Sequence, residues 1–373
     1  IPPIRFDKRW VLRLIRFLTG LQKGEKSARG VTIEDLRLQR AGVRVYSPQG
    51  DKSGAALLWI HGGGFIMGSN VMNDLECIHY ARQLGLVVVS VEYRLAPEHP
   101  IPAALDDCYE AWRWLQASAG ELGIDPERVA ISGQSAGGGL AAGLVQRIHD
   151  AGGVQPVAQA LFCPMLDDRT AARRDLDAIR HKLWNNMSNR AGWGHYLGQP
   201  AGGEEHRPYA VPARREDLSG LPETWIGIGS ADLFLAESQA YRDRLLATGI
   251  TCDFHMAPGG YHGFEGVAPQ AEVTRAMCQS NERFLRRTLG LQELASYKRV
   301  TLTAFGGPEN LQLQTVDGLP EPAAGEVRVK VITAGTGFTD TIVRQGQYVG
   351  VKEKPPFTPG YDWFGVVDKL GPD

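Results

Sequence analysis

The chain has 373 residues, which is enough for two or three domains or for one large domain with an added segment. Its 43% hydrophobic and 22% charged residues are ordinary globular values and exclude a disordered or collagen-like chain. With 40 basic against 42 acidic residues the net charge is −2, so we expect no nucleic-acid partner. No apolar stretch approaches the roughly 20 residues that span a bilayer, so we predict no transmembrane segment.

The five cysteines argue against a disulfide framework. Their number is odd and their spacings contain no CxxC pair, which also disfavours a structural zinc site and favours a reducing cytoplasm. We therefore expect a cytoplasmic protein. The chain begins at Ile1 rather than Met, which is compatible with a natural N-terminus further upstream, and its first twenty residues carry too many charges for a secretory signal.

Residues 1–30 are predicted to form an N-terminal cap region around one amphipathic helix. Its apolar stripe consists of Phe6, Trp10, Leu14, Phe17, Leu18 and Leu21. The arginines lie largely on the opposite side. Such a helix could rest on an anionic membrane surface. We favour a helix that packs on the protein body with a solvated basic face.

Strand and helix patterns alternate from about residue 31 to residue 297. Predicted strands lie at Val43–Ser47, Ala55–Ile60, Leu86–Val91, Arg128–Ser132, Ala158–Cys163, Thr224–Gly229 and Thr251–Met256. Predicted helices lie at Asn73–Leu84, Ala103–Ser118, Ala136–Ile148, Leu235–Thr248 and Ala271–Leu289. Apolar strands separated by helices indicate an α/β fold with a mostly parallel sheet covered on both faces. The alternation stops at about 168–222, which we interpret as a cap insertion.

The composition changes after Leu291. Residues 298–373 contain no cysteine and no histidine, and they show short alternating segments between glycine-rich turns. This pattern predicts a separate all-β segment.

A nucleophile turn is predicted at 133–137. The sequence GQSAG fits G-x-S-x-G and stands directly between a strand and a helix, which is the context this motif requires. Ser135 is then the candidate nucleophile. The alternative is a glycine-rich turn in which Ser135 only caps a helix.

A second glycine run, His61-Gly62-Gly63-Gly64-Phe65, follows an apolar strand. Acyl transfer needs backbone N–H groups aimed at a developing oxyanion, and glycines let the backbone approach it closely. Gly63, Gly64 and Ala136 are therefore the candidate oxyanion donors. His61 is expected to orient this loop and not to act as the base.

The acid and the base should follow the serine in the order Asp, His. Asp232 follows the strand Thr224–Gly229, and His262 lies in the glycine-rich loop after the next predicted strand. His255 is less suitable because it lies inside that strand. We therefore predict Ser135, Asp232 and His262 as a catalytic triad. Phe65, Trp184 and Trp193 are candidate walls of an acyl pocket, with core packing as the alternative for each.

These motifs together resemble one enzyme family. HGGGF (61–65), VEYRLAPEHPIPAALDD (91–107), GIDPERVAISGQSAGGGLAAGL (123–144) and GYHGF (260–264) are similar to the hormone-sensitive-lipase-like, or bacterial family IV, carboxylesterases. The resemblance implies an α/β-hydrolase fold with a helical cap, the triad and oxyanion donors named above, and no cofactor. Most members carry Asp where this chain has Gln134, which we expect to alter hydrogen bonding near the nucleophile. The segment before HGGG is also short, so we expect an incomplete cap.

The tail resembles a second family. YKRVTLTAFGGPENLQLQTVDGLPEP and the segments after it are similar to the first part of the GroES-like domain of zinc-free quinone oxidoreductases, in the medium-chain dehydrogenase/reductase family. The nucleotide-binding half, with its glycine-rich turn, is absent from 298–373.

The function that these patterns favour is hydrolysis of short to medium acyl esters through an acyl-enzyme. Hydrolysis of lactones, amides or thioesters stays open, because the same triad serves all of them. A bifunctional or fragmentary hydrolase–oxidoreductase fusion and a non-catalytic binding protein also stay open. The expected partner is a small-molecule ester, we expect no metal, and a homo-oligomer is left open.

Overall fold

The computed structural model describes residues 6, 8–20, 24–50, 52–291, 297–316, 318–360 and 362–372. It divides into two compact units, residues 1–291 and 292–373. Arg5 and Leu21 lie outside the described residues, as does the segment 292–296 before the predicted start of the tail. None of the described helices is long and apolar enough to cross a membrane.

The first unit is built on one eight-stranded sheet. Its strands are β1 (Val31–Arg37), β2 (Gly42–Pro48), β3 (Ala56–Ile60), β4 (Val87–Glu92), β5 (Val129–Gln134), β6 (Ala158–Phe162), β7 (Glu223–Gly229) and β8 (Cys252–Ala257), in the order β1-β2-β4-β3-β5-β6-β7-β8. The pairs β1–β2 and β2–β4 are antiparallel, and the pairs from β4 to β8 are parallel. The predicted, mostly parallel sheet is confirmed, while β1 was not predicted.

Ten helices of this unit are described. They are α1 (Arg9–Gly20), α2 (Asp74–Leu84), α3 (Ala103–Ala117), α4 (Ala119–Leu122), α5 (Ala136–Ala151), α6 (Arg169–Ala172), α7 (Asn186–Leu197), α8 (Leu235–Ala247), α9 (Phe264–Val267) and α10 (Glu272–Thr288). The predicted insertion at 168–222 contains α6, α7 and two short 3₁₀ turns, Arg174–Ala178 and Pro212–Arg214.

Two hydrophobic cores cover the two faces of the sheet. Neighbouring residues of one strand enter different cores, as Leu57 and Leu58 do in β3. Helices α3, α5 and α8 contribute to the larger core, and α2 and α10 to the other. Because both faces are buried, the central strands are apolar at nearly every position, which is why they could be recognised in the sequence.

Helix α1 packs with a different face from the one that the sequence predicted. Leu12 is buried and Ile15 packs against the core, whereas Trp10, Leu14 and Phe17 are exposed. Phe6, which precedes the helix, is buried as predicted.

The reason for this orientation is Arg16, which was expected on the solvated side. Its guanidinium donates to the carbonyl oxygens of Ile66 (2.6 Å) and Ala96 and pairs with Glu98 (2.8 Å). These polar contacts turn the Arg16 face of α1 toward the body, because buried carbonyls need donors.

The second unit contains two small antiparallel sheets. One pairs β9 (Tyr297–Leu302) with β10 (Leu311–Val316), and the other pairs β11 (Val327–Ala334) with β12 (Trp363–Leu370). The alternating segments of the tail, at 299–303, 311–315 and 326–333, correspond to β9, β10 and β11. The segment is not all-β, because helix α11 (Phe338–Arg344) follows β11. This helix is only seven residues long, too short for a clear periodic signal.

Candidate active site

The chain reverses sharply at Ser135, between β5 and α5. Ser135 has φ 57° and ψ −118°, a positive-φ conformation that is strained for a residue with a side chain. A Cβ on Gly133 would lie 2.3 Å from the Gly137 carbonyl oxygen, and one on Gly137 would lie 2.1 Å from that of Ile60. Only glycine fits at these two positions, so the G-x-S-x-G pattern follows directly from the packing of this turn.

Three loops bring Ser135, His262 and Asp232 together. They follow β5, β8 and β7, and because these strands are parallel their carboxyl ends lie at one edge of the sheet. The Asp232 and His262 loops also pack closely, since a Cβ on Gly229 would lie 2.2 Å from the Gly260 carbonyl oxygen.

The three side chains form one hydrogen-bonded series. Ser135 Oγ lies 2.9 Å from His262 Nε2, and His262 Nδ1 lies 2.9 Å from Asp232 Oδ2. The other Asp232 oxygen accepts the backbone N–H of Phe234 at 2.9 Å. All three side chains are buried. This geometry lets the imidazole receive the serine proton while the carboxylate holds the ring.

The surroundings of His262 favour its protonated form. Burial lowers its pKa, but the charge and the hydrogen bond of Asp232, together with the charge of Glu265, outweigh burial and raise the pKa above the ordinary value. An imidazolium at His262 is therefore stabilised by these two carboxylates.

The glycine run 62–64 lies beside Ser135. Gly63 has φ +114° and Gly64 has φ +62°, and a Cβ on Gly62 would lie 3.4 Å from Ser135 Cβ. A Cβ on Gly63 would lie 2.0 Å from the Met67 carbonyl oxygen. The backbone thus follows a path next to Ser135 that residues with side chains could not follow.

His61, the residue before this glycine run, holds it in place. It is fully buried, its ring stacks on Tyr93 with centroids 4.1 Å apart, and its Nδ1 lies 2.7 Å from the Gly62 carbonyl oxygen. The Tyr93 hydroxyl donates to the His61 carbonyl oxygen at 2.9 Å. Burial lowers the pKa of His61 to about 4, so it is neutral near pH 7. This placement agrees with the expectation that His61 orients the loop.

A cavity of about 670 Å³ opens onto Ser135 and His262. Its apolar wall consists of Phe6, Met67, Val71, Met72, Leu75, Leu183, Trp184 and Val267. Trp184, one of the three candidates for a pocket wall, lines this cavity and is also part of the hydrophobic core. The structure puts the other two candidates in the core instead: Phe65 stacks on Tyr196 with centroids 4.1 Å apart, and Trp193 is fully buried.

Several lining residues were not recognised in the sequence. Leu183 lies in an irregular segment, where no periodic pattern marks the side that faces a cavity, and Phe6 was predicted for the apolar stripe of the N-terminal helix rather than for a cavity wall. Glu265 stands three residues after His262 but carries no motif of its own that would mark it in the sequence.

Comparison with known proteins identifies the family. Residues 57–266 match the Abhydrolase_3 family model, which describes an alpha/beta hydrolase fold. The chain belongs to the alpha/beta hydrolase family. The predicted resemblance to hormone-sensitive-lipase-like carboxylesterases is thereby confirmed.

Several relatives of this alpha/beta hydrolase are named as esterases. It is 37% identical to Esterase LipI of Mycobacterium tuberculosis, over 62% of this chain and 73% of the relative. It is 33% identical to an ethyl acetate hydrolase of Pseudomonas putida, over 60% of this chain and 70% of the relative. The solved structure of a bacterial heroin esterase superposes with a TM-score of 0.71 at 35% identity, covering 78% of this chain and 94% of that one. The chain is a carboxylesterase-type hydrolase.

The tail of this hydrolase has a separate match. Residues 323–373 match the family model of the alcohol dehydrogenase GroES-like domain. The predicted GroES-like resemblance of the tail is confirmed for those residues.

Proposed function

We propose that this hydrolase cleaves short to medium acyl esters through a covalent acyl-enzyme on Ser135. The observation that carries the proposal is the buried hydrogen-bonded series from Ser135 Oγ through His262 to Asp232, at the floor of a cavity. A protein that only binds a ligand has no use for this arrangement, so a non-catalytic role is disfavoured.

In the first half-reaction, Ser135 Oγ attacks the ester carbonyl carbon while His262 Nε2 takes its proton. Asp232 accepts the Nδ1–H of His262, which fixes the tautomer that leaves Nε2 free to act as base. The tetrahedral intermediate then collapses, and His262 returns the proton to the departing alcohol.

The oxyanion of this intermediate is proposed to lie between the N–H groups of Gly63, Gly64 and Ala136. Ala136 begins helix α5, whose N-terminal end carries a partial positive charge, and the path of the glycine run beside Ser135 supports this assignment. In the second half-reaction His262 activates water, which hydrolyses the acyl-enzyme and frees Ser135.

The cavity supports the preference for short to medium acyl chains. Its volume of about 670 Å³ accommodates a small ester, and Trp184 forms part of its apolar wall.

We also propose a cytoplasmic setting, which the five free cysteines support.

The proposal is tested with p-nitrophenyl esters of graded acyl length and the Ser135→Ala variant. We expect the wild-type chain to prefer the shorter esters and the variant to lose nearly all turnover. Ser132→Ala is the matched control, because Ser132 lies in β5, three residues before Ser135, and donates to the Ala160 carbonyl oxygen instead of to His262. Turnover by Ser135→Ala at more than about a tenth of the wild-type rate would refute the assignment of the nucleophile.

A further inference from the structure

A hydrogen bond joins the residue before the nucleophile to the loop that carries His262. The Gln134 side-chain amide donates a hydrogen bond to Glu265 Oε1 at 2.6 Å, although the two residues are 131 positions apart in the sequence. Gln134 Oε1 accepts from the Asn73 amide at 3.3 Å. Cys163 Sγ lies 3.7 Å from the same Glu265 oxygen. The half-buried Glu265 carboxylate thus sits between the nucleophile turn, the loop after β6 and its own loop.

The titratable groups around His262 come from several elements. Asp232 follows β7, Cys163 follows β6, and Glu265 stands three residues after His262. His181, in the insertion, lies near Asp232. Glu76 on α2 and Cys278 on α10 lie near Glu265. Burial raises the pKa of the Cys163 thiol well above its usual range, so this thiol is neutral. Asp232 and Glu265 are the two groups whose charge raises the pKa of His262 against the opposing effect of burial.

We propose that Glu265, held by the Gln134 amide, is a second acidic positioning residue of this active site. It fastens the histidine loop to the nucleophile turn, and its charge stabilises the imidazolium that His262 becomes in each half-reaction. Glu265 acts through Gln134 and His262, whereas Asp232 bonds the imidazole directly. The inference rests on the proposed function and adds a residue to its machinery.

The amide at position 134 is what permits this arrangement. A carboxylate at position 134 could not donate a hydrogen bond to Glu265, because it has no N–H group. If a carboxylate took the place of the Gln134 amide, which lies 2.6 Å from Glu265 Oε1, the two negative charges would repel and one carboxylate would have to take up a proton. The Gln134 amide instead donates a hydrogen bond to Glu265 Oε1 without adding a second negative charge beside it.

The test is the variant Glu265→Gln, which removes the charge and nearly preserves the shape. We expect an NMR titration of the full chain to show a His262 pKa lower by about half a unit or more than in the wild type, because the variant lacks the negative charge that favours the imidazolium. We expect the acid limb of kcat/KM to move by the same amount and kcat to fall about tenfold. The NMR titration does not depend on turnover, so it separates this inference from the proposed function.

A matched control is Glu223→Gln. Glu223 begins β7, at the end of the strand opposite Asp232, and pairs with Arg287. This variant should leave both the titration and the acid limb where they are in the wild type. If Glu265→Gln behaves like this control, the inference is wrong. If Glu265→Gln does not fold, Gln134→Ala replaces it, because releasing the carboxylate should shift the titration in the same direction by a smaller amount.

The exchange Gln134→Glu with Glu265→Gln tests the pair as a unit. Gln134→Glu alone places two carboxylates together and should lower kcat. The double exchange restores one amide and one carboxylate, so it should recover most of the activity that either single variant loses. A double variant no more active than Glu265→Gln would show that the two side chains do not work as a pair.

Discussion

The Gly64 backbone lies directly against the ring of Trp184. A Cβ on Gly64 would lie 2.2 Å from the nearest ring carbon, closer than atoms can approach without displacement. Trp184 also lies near His262, with its ring centroid 6.5 Å from that of the imidazole. The proposed oxyanion donor and the cavity wall are therefore parts of one packed unit.

The variant Gly64→Ala should lower kcat/KM by about 10²-fold, because its Cβ must displace Trp184 or the N–H proposed to bind the oxyanion. Gly249→Ala is the control: Gly249 also has a positive φ, but open space surrounds its Cβ position after α8. The control should lose stability and keep activity within about twofold. In the Gly64→Ala background, Trp184→Ala should cost less than it does alone, and strictly additive effects would contradict this packing argument.

Removing any member of the proposed triad should lower ester turnover by about 10³-fold or more, since the three groups act as a unit. Steady-state kinetics of His262→Ala and Asp232→Asn test this. His255→Ala is the control for the histidine, because His255 lies within β8. The double variant Ser135→Ala/His262→Ala should be no slower than Ser135→Ala. A further large loss in the double variant would show that the two residues act independently.

The pH dependence of kcat/KM should show an acid limb above about 6.5, the reference pKa of histidine. His262 acts as base only when it is neutral, and its raised pKa means that it keeps its proton to higher pH. Activity should therefore fall as the pH drops through this limb, which the raised pKa of His262 places above the ordinary histidine value. In Asp232→Asn the limb should move to lower pH, because burial lowers the pKa of His262 and the Asp232 charge that raises it is gone. A limb near pH 4 in the wild type would point to another group, such as His61.

The tail, residues 298–373, is predicted to add no redox chemistry. It contains no histidine or cysteine and no G-x-G-x-x-G turn to hold a dinucleotide pyrophosphate. The fragment 1–297 should therefore hydrolyse esters within a few-fold of the full chain. Titration of both proteins with NADPH provides the check. Saturable binding to the full chain that is absent from the fragment would instead favour a bifunctional hydrolase–oxidoreductase.

The sequence allowed the triad to be predicted because each member occupies a loop that follows a recognisable strand. Ser135, Asp232 and His262 are far apart in the chain, yet parallel strands bring their carboxyl ends to one edge of the sheet. The glycine run was also recognisable in the sequence, because a backbone that packs closely against its neighbours requires glycine at several positions in a row.

The face of α1 and the cavity wall could not be predicted in the same way. Periodicity indicated an amphipathic helix, but the carbonyls of Ile66 and Ala96 decide which side packs, and they bind the arginine that the pattern placed in solvent. The cavity wall includes Phe6 and Leu183, whose place in that wall follows from tertiary packing.

The most direct test of the central claim is covalent labelling of the full chain with a fluorophosphonate, followed by peptide mass spectrometry. The geometry of Ser135 and His262 predicts one adduct per chain, on the peptide that contains Ser135, with loss of ester hydrolysis in proportion to labelling. Ser132→Ala should label like the wild type, and Ser135→Ala should not label. Full ester hydrolysis by a chain completely labelled at Ser135, or stoichiometric labelling of another residue, would contradict the claim that Ser135 is the nucleophile.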